Sequence, residues 1–251
     1  MAEVAGSLAQ VLSSLRLGRV LEVGCGDGEF TELLVENLGG WDYIEAVDMV
    51  EETVAEARNY FEKAHPGARV SFRVGAAAAL PFQAGSFDAA VVSNTIHHMR
   101  DPRRSLGEAL RVVRPGGRIV INEMFSDVED PREEVGRDLH HLKAWVDRTH
   151  GVSHNPTWSR AALFDLFRRL GLFDCNHLVY PRSEITDADV DVEDRISHVD
   201  EYADHAAGSP EYPGIRREAS RLKQRLRAVG FAAAPQLLVI CTTPTQGGRH
   251  V

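Results

Sequence analysis

Between residues 20 and 28 the chain reads Val-Leu-Glu-Val-Gly-Cys-Gly-Asp-Gly, an apolar strand pattern that runs directly into three alternating glycines and then into a helical pattern. Glycine admits positive φ and lets a bound molecule approach the main chain without meeting a Cβ. A strand-to-helix turn of this composition therefore forms a cradle for a small molecule. The spacing narrows the choice of ligand. The dinucleotide fingerprint Gly-x-Gly-x-x-Gly requires its third glycine at position 29, where this chain has Glu29.

The first 124 residues alternate short β-branched runs with amphipathic helical runs, the pattern of a mostly parallel sheet covered on both faces. Strands are expected over 19–23, 43–47, 70–74, 87–92 and 118–122, with helices between them. Asp101 caps the helix that starts at Pro102. The segments 175–180 and 236–242 read as the last two strands, an antiparallel pair closing the sheet. The expected fold class is α/β, a Rossmann-like, mostly parallel seven-stranded sheet with helices on both faces. Helical cap insertions follow strand 5 and lie between strands 6 and 7. The corresponding division is 1–124 for the core, 125–157 for a helical cap segment, 158–183 and 235–244 for completion of the sheet, and 184–234 for a helical hairpin.

The first insertion reads as a helix from the capping pair Asp130-Pro131 to about Thr149, with Val135, Leu139, Leu142 and Val146 as its apolar stripe. At ~100° per residue, Asp138, His141 and Trp145 share one shoulder of that stripe, and His140 is expected on the polar face. The second insertion divides its charge. Asp187, Asp189, Asp191, Glu193, Asp194, Asp200, Glu201 and Asp204 precede Arg216, Arg217, Arg221, Lys223, Arg225 and Arg227. Ile196, Val199 and Ala203 match Ala219, Leu222 and Leu226, as in an antiparallel helical hairpin, which is a candidate lid or homodimerisation arm.

Ligands of open parallel sheets bind outside the carboxyl ends of the strands, which directs attention to four loops. Glu22 followed by Gly24, Cys25, Gly26, Asp27 and Gly28 resembles the first motif of the class I S-adenosylmethionine-dependent methyltransferases. Asp48 ends the second strand, and Gly75-Ala76-Ala77-Ala78-Ala79-Leu80-Pro81-Phe82 is similar to that family's third segment, with Ala76 where an acid is usual. Ser93-Asn94-Thr95-Ile96-His97-His98-Met99 matches the fourth motif, and Leu110 to Gly117 completes a resemblance over 18 to about 124. The order of these loops points to the type 11, small-molecule branch.

That resemblance implies S-adenosylmethionine as cofactor and S-adenosylhomocysteine as product. Glu22, Gly24, Cys25, Gly26 and Gly28 would meet its methionine part, and Asp48 its ribose hydroxyls. Met49, Ala76 and Ala77 would meet the adenine, and Asn94 and Thr95 would flank the reacting end. Cys25 serves through its backbone, not as a nucleophile. Methyl transfer from a sulfonium needs orientation and exclusion of water, with a base useful for a hydroxyl or protonated amine. His97, His98 and His141 are candidates, and His98 and His141 are taken as the catalytic pair, with Asp138 one turn before His141 to orient it.

A net charge of −9 disfavours a phosphate-rich partner, so no nucleic acid is expected, only a small-molecule substrate. Three isolated cysteines argue against disulfides and for a cytoplasmic setting, and no run is apolar enough to span a membrane. No metal is expected, since Gly151 and Pro156 break the helix that would align His150 with His154. Methyl transfer to a small organic acceptor is the expected function. The alternatives are non-catalytic S-adenosylmethionine binding and, opposed by Glu29, a dinucleotide-dependent oxidoreductase.

Overall fold

The computed structural model describes residues 2–182 and 192–245. Its strands are β1 (Ala2–Glu3), β2 (Arg16–Val23), β3 (Gly40–Asp48), β4 (Val70–Val74), β5 (Phe87–Ser93), β6 (Val113–Met124), β7 (Cys175–Tyr180) and β8 (Gln236–Thr242). They form one sheet in the order β1-β7-β8-β6-β5-β2-β3-β4. β8 is antiparallel to both β6 and β7, and the other pairings are parallel. The expected seven strands are β2 to β8. The two-residue edge strand β1 is an addition too short for any periodicity to announce.

The helices are α1 (Leu8–Ser14), α2 (Glu29–Asn37), α3 (Glu51–Ala64), α4 (Pro102–Val112), α5 (Pro131–Thr149), α6 (Arg160–Arg169), α7 (Val192–His205) and α8 (Tyr212–Val229). Strand alternation sends Val20, Ala89, Val91 and Val120 to one face, under Leu12 of α1 and Leu34 of α2. The other face carries Leu21, Ala90, Val92 and Ile121 under Leu106 of α4 and Phe167 of α6. Helix starts follow the capping residues: the Arg104 amide donates to Asp101 Oδ1 at 3.0 Å, and the Arg132 amide to Asp130 Oδ1 at 2.8 Å. At β6 the strand begins earlier than expected, at Val113, and runs through Pro115-Gly116-Gly117. Gly117 is needed there because a Cβ would lie 2.5 Å from Asp88 O.

The two insertions are not independent. α7 and α8 form the expected antiparallel pair, and α5 packs against both, so that Leu142 and Val146 share a core with Val199 and Leu222. The basic side of α8 is directed as much to α5 as to α7. Arg225 reaches Glu134 and Asp138, each at 2.6 Å, Arg221 reaches Asp138 at 3.1 Å, and Lys223 and Arg216 meet Asp200 of α7. Asp187, Asp189 and Asp191 lie outside the described residues.

One expectation is overturned. Cys175 and Cys241 are bonded to each other, and only Cys25 is free. They are opposite residues in the β7–β8 ladder, a pairing invisible while the register of two strands 66 positions apart was unknown. With two of the three cysteines bonded, cysteine content no longer points to a cytoplasmic setting. No helix among the described residues is long and apolar enough to cross a membrane.

Candidate functional site

The glycine loop is fastened to β3. The Gly24 and Cys25 amides both donate to Val47 O, at 2.7 and 3.1 Å, and the Gly26 amide donates to Asp48 Oδ2 at 3.0 Å. The other carboxylate oxygen of Asp48 accepts from the Val50 amide at 2.9 Å, where α3 begins. Most of the loop amides expected to face a ligand are therefore used in shaping the loop. What the loop offers outward is open space over Gly26, where an added Cβ would meet nothing within 4 Å, and the second lone pairs of Asp48.

Gly24 has φ +79° and an added Cβ would lie 2.3 Å from Thr95 Oγ1, so the first and fourth loops touch only because this residue has no side chain. Gly28, at φ +94°, turns the chain into α2. Met49 is 75% exposed beside Asp48. The segment that carries Ala76 and Ala77 is tied to the end of β3, where the Gly75 amide donates to Asp48 O at 2.8 Å. Cys25 is buried, and that burial, with Glu22 and Asp48 nearby, pushes its thiol pKa well up, away from nucleophilic character.

Glu22 is fully buried beneath the loop. Its Oε2 accepts from Thr31 Oγ1 at 2.6 Å, while Oε1 has no partner. Burial pushes its pKa up to about 8, against the lowering effect of the Thr31 hydroxyl and with a further push from Asp48. An orphaned buried oxygen, an uncovered Met49 and a cradle open above Gly26 fit a ligand that brings a cation, an aromatic ring and a diol to the strand ends.

In the fourth loop, Asn94 takes φ +45° and its Oδ1 accepts from the Met124 amide at 3.1 Å. Thr95 Oγ1 lies 2.7 Å from Ser93 O and 3.2 Å from Gly24 O. The chain then makes a short 3-10 turn, Ile96–His98. Glu123, at the end of β6, accepts from the Ile96 amide at 2.9 Å through Oε2 and from His97 Nδ1 at 2.5 Å through Oε1. His98, His140 and His154 surround His97, with ring centroids 4.4, 4.8 and 5.4 Å from it. His140 thus points into a shared cluster and not to the polar face, because α5 is flanked on that side by the loop over 150–158. That loop is tied down by the Asn155 amide to His97 O at 2.8 Å and by Arg148 Nη1 to His154 O at 2.6 Å.

Burial, and then the neighbouring imidazoles, favour the neutral form of His98, His140 and His154. Burial pushes His140 down to about 2, with His97 and His154 adding to the shift, and burial lowers His154 against the opposing pull of Asp147. His98 is lowered by desolvation and then by His97 and His154, although its outer edge meets solvent and so limits the effect. His141, lowered by desolvation, stands apart with Nε2 2.9 Å from Thr157 Oγ1 and accepting from the Thr157 amide at 3.1 Å. Asp138 does not orient it, being held by Arg137, Arg221 and Arg225.

Among the described residues, two groups bring three possible metal-ligand atoms within 4.8 Å of one another: His97, His140 and His154, and the more open Glu32, Glu36 and His65. His150 does not join His154, and instead its Nε2 meets His205 O at 2.9 Å. Glu123, His140, Asp147 and His154 were not singled out together by the sequence, where they are scattered over three elements with no common spacing.

Among known proteins, the sequence profile of a methyltransferase domain matches residues 21–121, which include the first and fourth loops and Asp48 between them. Residues 21–121 thus resemble a methyltransferase domain. The chain is similar to an O-methyltransferase, rstn1, of Aspergillus nomiae, 33% identical over 136 residues that cover 54% of this chain and 59% of that protein. It is also similar to the ubiquinone/menaquinone biosynthesis C-methyltransferase UbiE of Roseobacter denitrificans, 31% identical over 122 residues, 49% of this chain and 48% of that one. The chain thus spans about half the length of the curated relatives it matches. The fold is shared with the YcgJ protein of Bacillus subtilis, at a TM-score of 0.58 and 19% identity, covering 94% of this chain and 96% of that one.

Proposed function

We propose that the chain transfers a methyl group from S-adenosylmethionine to a small organic acceptor. The observation that carries this reading is the Gly26–Asp48 hydrogen bond, which joins the glycine loop to the strand-end carboxylate and leaves exposed Met49 alongside. In this reading Asp48 accepts the ribose hydroxyls with its remaining lone pairs. Met49 packs on the adenine face, and the backbone of Ala76 and Ala77 serves the adenine edge in place of the usual acid. Gly24, Cys25, Gly26 and Gly28 shape the surface for the methionine part. Glu22 offers its unpartnered Oε1 from beneath, and Asn94 with Thr95 bounds the reacting end.

The bound cofactor supplies an activated methyl group on a sulfonium, which leaves with its carbon–sulfur bonding pair retained by sulfur. The protein then has to orient the acceptor, exclude water and hold one proton. His98 is the better placed base, because its imidazole is kept neutral and its outer edge is open to a ligand. His141 has its Nε2 lone pair occupied by the Thr157 amide, so it acts by holding the 150–158 loop or through Nδ1. The helical cap closes over the acceptor and is the surface through which we place a homodimer, for which light scattering in solution is the check. The division into a core (1–124 with 158–183 and 235–244) and a cap (125–157 with 184–234) belongs to the same reading.

Titration calorimetry with S-adenosylhomocysteine, with nicotinamide dinucleotide in parallel, tests the cofactor. Binding of the first alone supports the reading, and binding of neither withdraws it. Formation of S-adenosylhomocysteine with a panel of hydroxyl, amine and activated-carbon acceptors tests catalysis. Cofactor binding with no turnover on any acceptor would favour a non-catalytic binder, a reading that Ala76 in place of the usual acid makes worth the panel.

A further inference from the structure

Two of the four clustered imidazoles are each backed by a carboxylate. His97 Nδ1 meets Glu123 Oε1 at 2.5 Å and His154 Nδ1 meets Asp147 Oδ2 at 2.6 Å. Donation from each Nδ1 fixes the tautomer and leaves a lone pair on each Nε2. His154 Nε2 faces His140 Nε2 at 3.1 Å, and one ligand atom from each of His97, His140 and His154 lies within 4.8 Å of the others. Two nitrogens each 2.0–2.1 Å from one tetrahedral ion stand about 3.3 Å apart. The His140–His154 pair is therefore already at coordination distance, and the third ligand atom lies within 4.8 Å of it.

We propose that His97, His140 and His154 bind one divalent ion of the zinc class through Nε2, with Glu123 and Asp147 as the carboxylates that orient two of the three ligands. Imidazole is the ligand type such ions favour, and a carboxylate behind a ligating histidine raises its basicity. His97 and His154 are only 2% and 1% exposed, and a buried dication there is balanced by two carboxylates at one atom's remove. In the metal-free chain His140 donates its Nε2 proton to His154 Nε2. On binding, His140 carries its proton on Nδ1 and all three Nε2 lone pairs turn to the ion. Three protein ligands leave a fourth position for water or another oxygen ligand. The ion would join the turn after β5, helix α5 and the 150–158 loop, three segments otherwise connected by hydrogen bonds. This inference goes beyond the methyl-transfer reading and does not depend on it.

The test is titration of the untagged, chelator-treated full chain with Co2+ and Zn2+, following the visible absorption of tetrahedral Co2+ and its displacement by Zn2+. The expected result is one equivalent bound at micromolar affinity or tighter. His140→Ala, which removes no carboxylate contact, should weaken binding at least tenfold, and Asp147→Asn tenfold to a hundredfold. Glu32→Gln, at the other acidic group, should leave binding unchanged. Circular dichroism confirms that each variant is folded, and the wild-type stoichiometry and Zn2+-dependent rise in melting temperature stand without any variant. Failure of the wild type to bind one equivalent, or wild-type affinity in folded His140→Ala and His154→Ala, overturns the proposal. S-adenosylhomocysteine binding measured on the same sample is an independent readout.

Discussion

Asp48 accepts the amide of Gly26 through one carboxylate oxygen and the amide of Val50 through the other, so a single side chain holds both the glycine loop and the start of α3. An aspartate that anchors the backbone around it and an aspartate that binds a diol are usually competing explanations. Here the first prepares the second, since a carboxylate has about four acceptor directions and the two amides use one on each oxygen. Fixing the group in place removes part of the ordering a ligand would otherwise impose.

Asp48→Ala is expected to raise the dissociation constant for S-adenosylhomocysteine tenfold or more, from loss of a charge-assisted contact and of the loop anchor. Calorimetry measures it directly. Affinity equal to wild type would mean that the ribose is held elsewhere.

Glu22 links stability to pH. Its folded pKa of about 8 lies above the unfolded value of 4.5, so the folded chain retains a proton that the unfolded chain gives up. The associated stability is fully present below about pH 4.5 and is lost as pH rises through 8, on the order of a few kcal/mol. Chemical denaturation of the ligand-free protein between pH 5 and 9 should show this decline, and Glu22→Gln should flatten it. Parallel curves for the two proteins would place the titration in another group.

Gly24→Ala combines an unfavourable φ of +79° with a Cβ 2.3 Å from Thr95 Oγ1, and a loss of roughly 1–3 kcal/mol is expected from strain of this kind. Thr95→Ala in the same chain should recover part of it, because the two changes share one contact. Strict additivity in denaturant titrations would separate the first loop from the fourth.

Reduction of Cys175–Cys241 reopens a loop with a sequence separation of 66, for which chain entropy predicts roughly 4 kcal/mol before any relaxation. Melting temperature with and without reductant, and that of the double serine variant, should fall together. An unchanged melting temperature on verified reduction would show that the β7–β8 ladder alone holds the pair.

His98→Ala should lower turnover at least tenfold while leaving S-adenosylhomocysteine affinity within twofold, the signature of a base and not of a cofactor contact. His141→Ala should lower turnover less, through a loosened 150–158 loop. Equal kcat in wild type and His98→Ala returns the role of base to another group.

The chain's own pattern determined the core. Alternation with period two and apolar stripes with period 3.6 are local properties, so strands β2 to β8, their covering helices and the capping residues Asp101 and Asp130 were legible, and the two-residue β1 was not. The glycine spacing at 24, 26 and 28 and the carboxylate at the end of the next strand were legible for the same reason, because a parallel sheet delivers successive strand ends to one edge. Tertiary structure alone decided what depends on register and on packing between distant segments. Cys175 meets Cys241 only because β7 and β8 align at that step. His140 faces His97 only because the 150–158 loop folds back over α5, and Asp138 turns away from His141 because α8 brings two arginines to it. Such contacts join residues tens of positions apart with no shared period, and the energy that selects them lies in burial and charge pairing across elements, which one-dimensional spacing does not encode.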